Sequence, residues 1–264
     1  MKILVAIKQV AALDEDFEIR EDGRDVDPDF LTLDLNEWDN YSLEEAVKIK
    51  EASSSEVEVV VVSVGPEEVD DELRKCLAKG ADRAVRVWDD SVEGSDPIAI
   101  ARLIAAVAKK ENPDMIFAGV QSSDQAFGAT GIAVSSFLNW PHSAVVSMLE
   151  YAPGSQKASL RRELEGGSYA EVEIQCPAVL TIQLGINIPR YASLRGIKQA
   201  ATKPIDVLTP SDLGLSESDV GEMGSLSHVR RMYVPEKGRA QIIEGTPAEQ
   251  AARIHQIIKE FKGI

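Results

Sequence analysis

The chain has few of the residues that metal centres and thiol enzymes use most often. Among its 264 residues there are two cysteines and three histidines. His142, His228 and His255 lie too far apart for the spacing of a metal site. Cys76 falls on the apolar face of a predicted helix and Cys176 precedes a proline, so we expect two reduced thiols without a redox role. The sequence therefore predicts neither a metal site nor a thiol-based enzyme.

The sequence also lacks long hydrophobic runs and an excess of positive charge. No apolar stretch approaches the ~18 residues that a membrane-spanning helix needs. The opening segment from Met1 to Lys8 has the size of a strand and lacks the longer apolar centre of a secretion signal. We therefore expect a cytoplasmic protein without membrane insertion. The net charge of -16, from 44 acidic and 28 basic residues, argues against nucleic acid as a partner.

The first half alternates short β-rich segments with amphipathic helices. Ile3 to Ile7, Val57 to Val64 and Met115 to Ala118 have the composition of strands that are buried on both faces. Helices with one apolar face are predicted between them, over residues 42–52, 67–79 and 97–110. Ser42 and Glu45 form a capping-box pattern at the start of the first helix. This alternation predicts an α/β fold with a doubly wound, mostly parallel sheet.

The second half has a different pattern. Residues 144–183 contain four short strands joined by Pro and Gly turns, which predicts an added β-hairpin region in the form of a β-meander. An irregular loop over 187–198 leads into a helix and completes a predicted nucleotide-binding domain over 1–204. Residues 205–264 predict an extended C-terminal arm and a final helix, started by Thr246, Pro247 and Glu249. This helix either embraces another subunit or packs on its own chain.

A polar loop after the strand at Met115 is the most informative segment. It runs from Gly119 to Gly131 and leads into a helix, so its hydroxyls and backbone N–H groups lie where parallel sheets bind phosphates. The loop contains no lysine and matches neither the Walker pattern nor the Gly-x-Gly-x-x-Gly fingerprint. Together with the strand ends at Ala6 and Val64, it predicts nucleotide binding without hydrolysis. An ordinary polar connection explains the same residues.

Three runs in the second half carry a family resemblance, namely Arg161 to Gly167, Cys176 to Thr181 and Asn187 to Leu194. They resemble the signature of the electron-transfer flavoprotein β subunit, and the likeness extends over nearly the whole chain. It is greatest to the β subunits of methylotrophic bacteria that serve trimethylamine dehydrogenase. The resemblance implies a heterodimer with an α subunit, FAD shared with that subunit, and structural AMP bound by this chain. It also implies an electron carrier without catalytic residues of its own, which shuttles electrons from flavin dehydrogenases to an acceptor.

The resemblance further implies which residues bind the cofactors. The AMP pocket and the flavin edge would be formed by residues near the predicted strand ends, which are Ala6, Asn36, Glu37, Trp38, Asp39, Val64, Gly119, Gln121, Ser122, Ser123, Asp124, Gln125, Ala126, Phe127, Gly128, Ala129 and Thr130. Within this set Trp38 would contact the flavin edge, together with Leu13. Family members commonly carry aromatic residues at both positions, so Leu13 departs from the pattern.

Partner docking is implied at two further places. The family's dehydrogenase-docking loop maps on residues 191–198, where Tyr191 and Leu194 would contact the partner while Arg190 and Arg195 steer it. The alternative is that Leu194 begins the buried face of the following helix. Glu163 matches an acid that restrains the mobile flavin domain by pairing with an arginine of the α subunit. Without the family, Glu163 is an ordinary charge on a hairpin.

Two other functions fit the same predicted fold. A bifurcating-type β subunit would bind a second FAD in place of AMP, but its acidic Asp-Gly-Asp-Thr-Ala-Gln run is replaced here by Ser122 to Phe127. A nucleotide-hydrolysing or stress-type protein of the adenine-nucleotide α-hydrolase kind shares this sheet. Hydrolysis needs a cation that grips the phosphate and an acid that holds a metal, and the loop offers only Asp124.

Overall fold

The computed structural model describes residues 1–13, 17–236, 238 and 240–262. The first half contains β1 (Lys2–Ala6), β2 (Gln9–Leu13), β3 (Leu31–Leu35), α1 (Glu37–Ala52), β4 (Glu58–Val64), α2 (Asp70–Lys79), β5 (Arg83–Val87), α3 (Pro97–Glu111), β6 (Met115–Gly119) and α4 (Thr130–Leu138). The second half contains β7 (His142–Glu150), β8 (Lys157–Glu163), β9 (Tyr169–Gln175), β10 (Ala178–Ile182), α5 (Leu194–Ala200), β11 (Ile205–Leu208), α6 (Gly221–Gly224) and α7 (Pro247–Lys262).

Nine of these strands form one sheet in the order β11-β5-β4-β1-β6-β10-β7-β8-β9. Neighbours from β11 through to β7 are parallel, whereas β8 pairs antiparallel with both β7 and β9. The predicted α/β fold with a mostly parallel sheet is confirmed. A separate antiparallel hairpin of β2 and β3 lies in the chain between β1 and α1 and was not identified from the sequence.

The predicted meander over 144–183 is wrong for its last strand. The first three strands are antiparallel neighbours, but β10 returns to the middle of the sheet and pairs in parallel with β6 and β7. All five residues of β10 are buried, which is typical of a strand that has neighbours on both edges and helices on both faces. Turn residues before β10 do not reveal which strand it joins.

Two hydrophobic layers cover the sheet, and alternate residues of β1 point into them. Ile3 and Val5 pack in the layer that holds α1 and α2, whereas Leu4 and Ala6 pack in the layer that holds α3 and α4. Helices on both faces are the doubly wound arrangement. Cys76 lies on the buried face of α2, and this burial raises the pKa of its thiol to about 12, so the thiol stays protonated at neutral pH.

The first helix begins earlier than its capping pattern predicts. α1 starts at Glu37 rather than at Ser42, whose hydroxyl lies inside the helix and donates to the carbonyl of Trp38 at 3.1 Å. Asn36 is the N-cap residue, but its side chain makes no hydrogen bond to the first turn of the helix. It binds a distant loop instead, so tertiary contacts rather than local capping set this start.

The first residues of the predicted C-terminal arm belong to the sheet. Residues Ile205–Leu208 form β11, which pairs in parallel with β5 at the edge of the sheet, and Val220 is fully buried in the core. The predicted cap of the last helix is present, since Glu249 accepts hydrogen bonds from the backbone N–H and the hydroxyl of Thr246, each at 2.8 Å. None of the residues described for α7 is buried.

Candidate functional site

A cavity of about 240 Å³ lies at the carboxyl ends of β1, β4 and β6. Ala6, Val64 and Gly119 line it, so the three strand ends that the sequence pattern places together do meet there. β1 and β6 are neighbours whose helical connections cover opposite faces of the sheet. The cavity therefore occupies the topological switch point, where doubly wound proteins bind their ligands.

Most of the site residues that the sequence predicts do line the cavity. They are Ala6, Asn36, Asp39, Val64, Gly119, Gln121, Ser122, Gln125, Phe127, Gly128, Ala129 and Thr130. Five others lie nearby without lining it, namely Glu37, Trp38, Ser123, Asp124 and Ala126. The structure adds residues that sequence reasoning missed, which are Ile7, Lys8, Ser95, Pro97, Ile100, Ile104, Ala118 and Val120.

Lys8 is the most important of the residues that sequence reasoning missed. Its ammonium group donates to both carboxylate oxygens of Asp124, at 2.9 and 2.7 Å, and to Oε1 of Gln125 at 3.2 Å. Burial favours a higher pKa for Asp124, but hydrogen bonds from Lys8 and Ser122 and the charge of Lys8 hold that pKa below its usual range. The end of β1 thus supplies the cation that the Gly119–Gly131 loop lacks. Its position just after a buried strand was the available signal.

The start of α1 ties the cavity walls together through two buried polar side chains. Nδ2 of Asn36 donates to the carbonyl of Gln121 at 2.9 Å, and Oδ1 accepts from the N–H of Ser123 at 3.2 Å. Asp39 accepts from the N–H of Lys8 at 2.8 Å with Oδ2 and from the N–H of Gly119 at 3.0 Å with Oδ1. Burial raises the pKa of Asp39 to about 7, against these two donors, which favour the charged form.

Close packing at the C-terminal end of β6 requires glycine at position 119. A Cβ atom on Gly119 would lie 2.5 Å from Oδ1 of Asp39 and 2.6 Å from Cβ of Trp38.

α4 begins at Thr130, and its N-cap residue Ala129 provides no side-chain hydrogen bond. The first N–H groups of α4 are therefore available to an anion in the cavity.

A chain of hydrogen bonds leads away from the cavity to the antiparallel end of the sheet. Nε1 of Trp38 donates to Oε1 of Gln183 at 3.1 Å, and Nε2 of Gln183 donates to Oε2 of Glu163 at 3.1 Å. Gln183 was not identified from the sequence. Leu13 ends β2, but its side chain lies outside the part of the chain that the structure describes.

The predicted docking residues lie on the surface at the start of α5. The exposed fraction is 97% for Tyr191 and 82% for Leu194, and Arg195 is exposed as well. The alternative that Leu194 begins a buried helical face is wrong, because Ala200 is the residue that α5 buries. Arg190 is not free to steer a partner, since its guanidinium group binds Glu44 and Glu51 of α1.

The fold and the cavity define a doubly wound α/β protein with a ligand site at the switch point of its sheet. The model of the electron transfer flavoprotein domain matches residues 31–213. The chain is 72% identical over 263 residues to the electron transfer flavoprotein subunit beta of Methylophilus methylotrophus, with 100% of both chains covered. It is 37% identical over 221 residues to the mitochondrial subunit beta of Arabidopsis thaliana, which covers 83% of this chain and 86% of that protein.

Identity with the human electron transfer flavoprotein subunit beta is 34% over 217 residues, or 81% of this chain and 84% of the human protein. The chain therefore belongs to the electron transfer flavoprotein family as a β subunit. The resemblance found in the sequence is confirmed, and with it a role in electron transport by a flavoprotein. Of the helices that the structure describes, none has the length and apolar character needed to cross a membrane.

Proposed function

We propose that this β subunit binds AMP in the cavity as a structural component and completes a FAD site with an α subunit. The heterodimer carries electrons from flavin dehydrogenases, trimethylamine dehydrogenase among them, to a downstream acceptor. One observation carries the nucleotide assignment: the cavity combines an apolar wall from Ile100 and Ile104 with Lys8 and the uncapped N-terminus of α4. The apolar wall suits an adenine ring, and the cation and N–H groups suit a single phosphate.

The pairing of Lys8 with Asp124 supports binding rather than hydrolysis. A hydrolase would direct the lysine to a transferred phosphate and the acid to a metal ion. Here Oδ2 of Asp124 accepts from Nζ of Lys8 at 2.7 Å, so the acid orients the lysine at the cavity instead of holding a metal ion. FAD would supply the redox chemistry when bound, and this chain would bind and orient it at the flavin edge. Incubation of the heterodimer with ATP and magnesium should release no phosphate; steady turnover would favour the hydrolase.

Exposed apolar residues support the proposed α-subunit partner. Ile254, Ile257, Ile258 and Phe261 form a stripe on α7 that is at least partly exposed along its whole length. A helix with such a stripe and no buried residue is typical of a subunit contact. We place Trp38 and Leu13 at the flavin edge, and Glu163 opposite an arginine of the α subunit. Tyr191 and Leu194 would contact the donor dehydrogenase.

The cofactor content of the heterodimer tests the proposal. After co-expression with the α subunit, nucleotide extraction and the visible spectrum should give one FAD and one AMP for each heterodimer. Two flavins for each heterodimer would identify the bifurcating type instead. If heterodimer without AMP assembles at an unchanged rate, the nucleotide has no structural role.

Lys8→Gln tests the phosphate end of the cavity. Loss of a charged hydrogen bond of about 1.5–3 kcal/mol should weaken AMP binding roughly 10- to 150-fold, measured by calorimetry on refolded heterodimer. Lys48→Gln is the matched control, because Lys48 lies on the exposed side of α1 and pairs with Glu45. Equal AMP affinity in both variants would show that Lys8 does not contact the phosphate.

A further inference from the structure

The segment that carries the docking residues is attached to α1 by four side chains, which we call the loop clamp: Asn187, Arg190, Glu44 and Glu45. Arg190 donates from Nε to Oε2 of Glu44 at 2.8 Å and from Nη2 to Oε1 at 3.0 Å, and its backbone N–H donates to Oε2 at 3.1 Å. Nδ2 of Asn187 donates to Oε2 of Glu45 at 2.9 Å and to the carbonyl of Tyr41 at 3.0 Å. The loop is therefore fixed to α1 through its side chains and through its backbone.

The two acids of the clamp are buried, which makes these contacts more than surface ion pairs. Glu44 and Glu45 are among the few buried charged residues of the chain. A buried carboxylate without partners is costly, so Glu44 favours the loop conformation that satisfies it, whereas Glu45 also pairs with Lys48 within α1. Glu51 also binds Arg190, but its side chain is 58% exposed, and exposed ion pairs contribute little. The Arg190–Glu44 pair therefore carries most of the constraint.

The apolar residues within and after the clamp segment contrast with it, because their side chains are exposed. Ile188, Tyr191 and Leu194 each have an exposed fraction above four-fifths, so burial of these side chains does not fix the loop. On the far side, Gly196 packs directly against the carbonyl of Ala78 in α2. The exposed segment is thus held at both ends by groups that do not belong to the docking surface.

We propose that the loop clamp is a positioning device, which holds residues 187–193 in one conformation so that Tyr191 and Leu194 are ordered before the dehydrogenase arrives. A loop that is already ordered loses less conformational entropy on binding, and this raises affinity without adding any contact. The inference rests on the proposed docking function of Leu194. It assigns Arg190, which borders the docking residues in the sequence, to internal positioning rather than to contact with the partner.

Steady-state electron transfer to the intact heterodimer, with trimethylamine dehydrogenase reduced by trimethylamine as the donor, tests the proposal. Glu44→Gln and Arg190→Gln should raise the KM for the donor about tenfold and leave the limiting rate within about twofold, because docking weakens while transfer after docking does not. Arg190→Lys keeps the charge but loses the bidentate contact, so its KM should lie between those of the wild type and Arg190→Gln. Glu51→Gln is the matched control, with an expected change below about twofold.

A double-mutant cycle separates positioning from direct contact. Leu194→Ala removes the anchor and should raise the KM about tenfold or more. In the Leu194→Ala background, Glu44→Gln should add less than about twofold to the KM, because the anchor that the clamp positions is gone.

Hydrogen exchange gives a readout without any partner. Glu44→Gln should speed exchange at residues 187–193 and leave exchange at residues 119–131 unchanged, whereas Glu51→Gln should change neither.

The outcomes distinguish the two proposals. If Leu194→Ala leaves the KM unchanged, the docking function is wrong. If Leu194→Ala raises the KM but Glu44→Gln changes neither the KM nor the exchange of residues 187–193, the positioning inference is wrong and the docking function stands. The inference also fails if the effect of Glu44→Gln persists in the Leu194→Ala background, or if it disappears at high ionic strength as charge steering would.

Discussion

The charge state of Asp39 should make the stability of this protein depend on pH. Burial raises the pKa of Asp39 from 3.8 to about 7 in the folded chain. The folded state therefore binds more protons than the unfolded state between these two values, so this contribution to stability is complete below about pH 4 and is lost as the pH rises through 7. At 1.36 kcal/mol for each pKa unit, the loss amounts to about 4 kcal/mol.

Asp39→Asn provides the comparison that isolates this effect. The variant cannot titrate, and its NH₂ group faces the backbone N–H of either Lys8 or Gly119, which costs a fixed ~1–3 kcal/mol at every pH. Urea unfolding between pH 4.5 and 8 should show that the wild type loses stability relative to the variant as the pH rises. Glu37→Gln changes an exposed acid in the same helical turn and is the control. A wild type that gains stability relative to Asp39→Asn would show that the two N–H donors outweigh burial, and would refute the reasoning.

Two further predictions concern the cavity and the C-terminal helix. Gly119→Ala should lower the free energy of unfolding by about 1–3 kcal/mol, because its Cβ would overlap Asp39 and Trp38, and should also reduce the AMP that copurifies; an unchanged unfolding midpoint would contradict this packing. Removal of residues 247–262 should change the stability of the isolated chain by less than about 0.5 kcal/mol, since α7 buries none of its residues, but should weaken association with the α subunit in analytical ultracentrifugation. A large loss of stability in the chain alone would place α7 on its own core.

The position of the cavity could be predicted from the sequence because it depends on regular features of parallel sheets. Ala6, Val64 and Gly119 each end a strand with an apolar run, and the carboxyl ends of such strands meet at one edge. Lys8 also follows a buried strand, but its contact with the loop could not be predicted in the same way. Its partner Asp124 lies 116 residues further along the chain, and no local pattern connects the two.

Local sequence patterns also fail where a long-range contact determines where a helix begins or which strands are neighbours. Ser42 and Glu45 match a capping box, yet the helix begins at Glu37, because Asn36 is fixed by Gln121 and Ser123 of the distant loop. The last strand of the predicted meander does form, as Ala178–Ile182, but it pairs in parallel with β6 and β7. A short apolar segment reveals that it will be buried, whereas its place in the sheet depends on the free edges that β6 and β7 offer.

α1 connects the three places to which function is proposed. Its start holds the cavity through Asn36 and Asp39, its first turn reaches Glu163 through Trp38 and Gln183, and Glu44 holds the docking loop two turns further on. Half of its 16 residues are buried, so it is anchored along its length to the sheet. The cavity and the docking surface are therefore fixed relative to each other by a single rigid element.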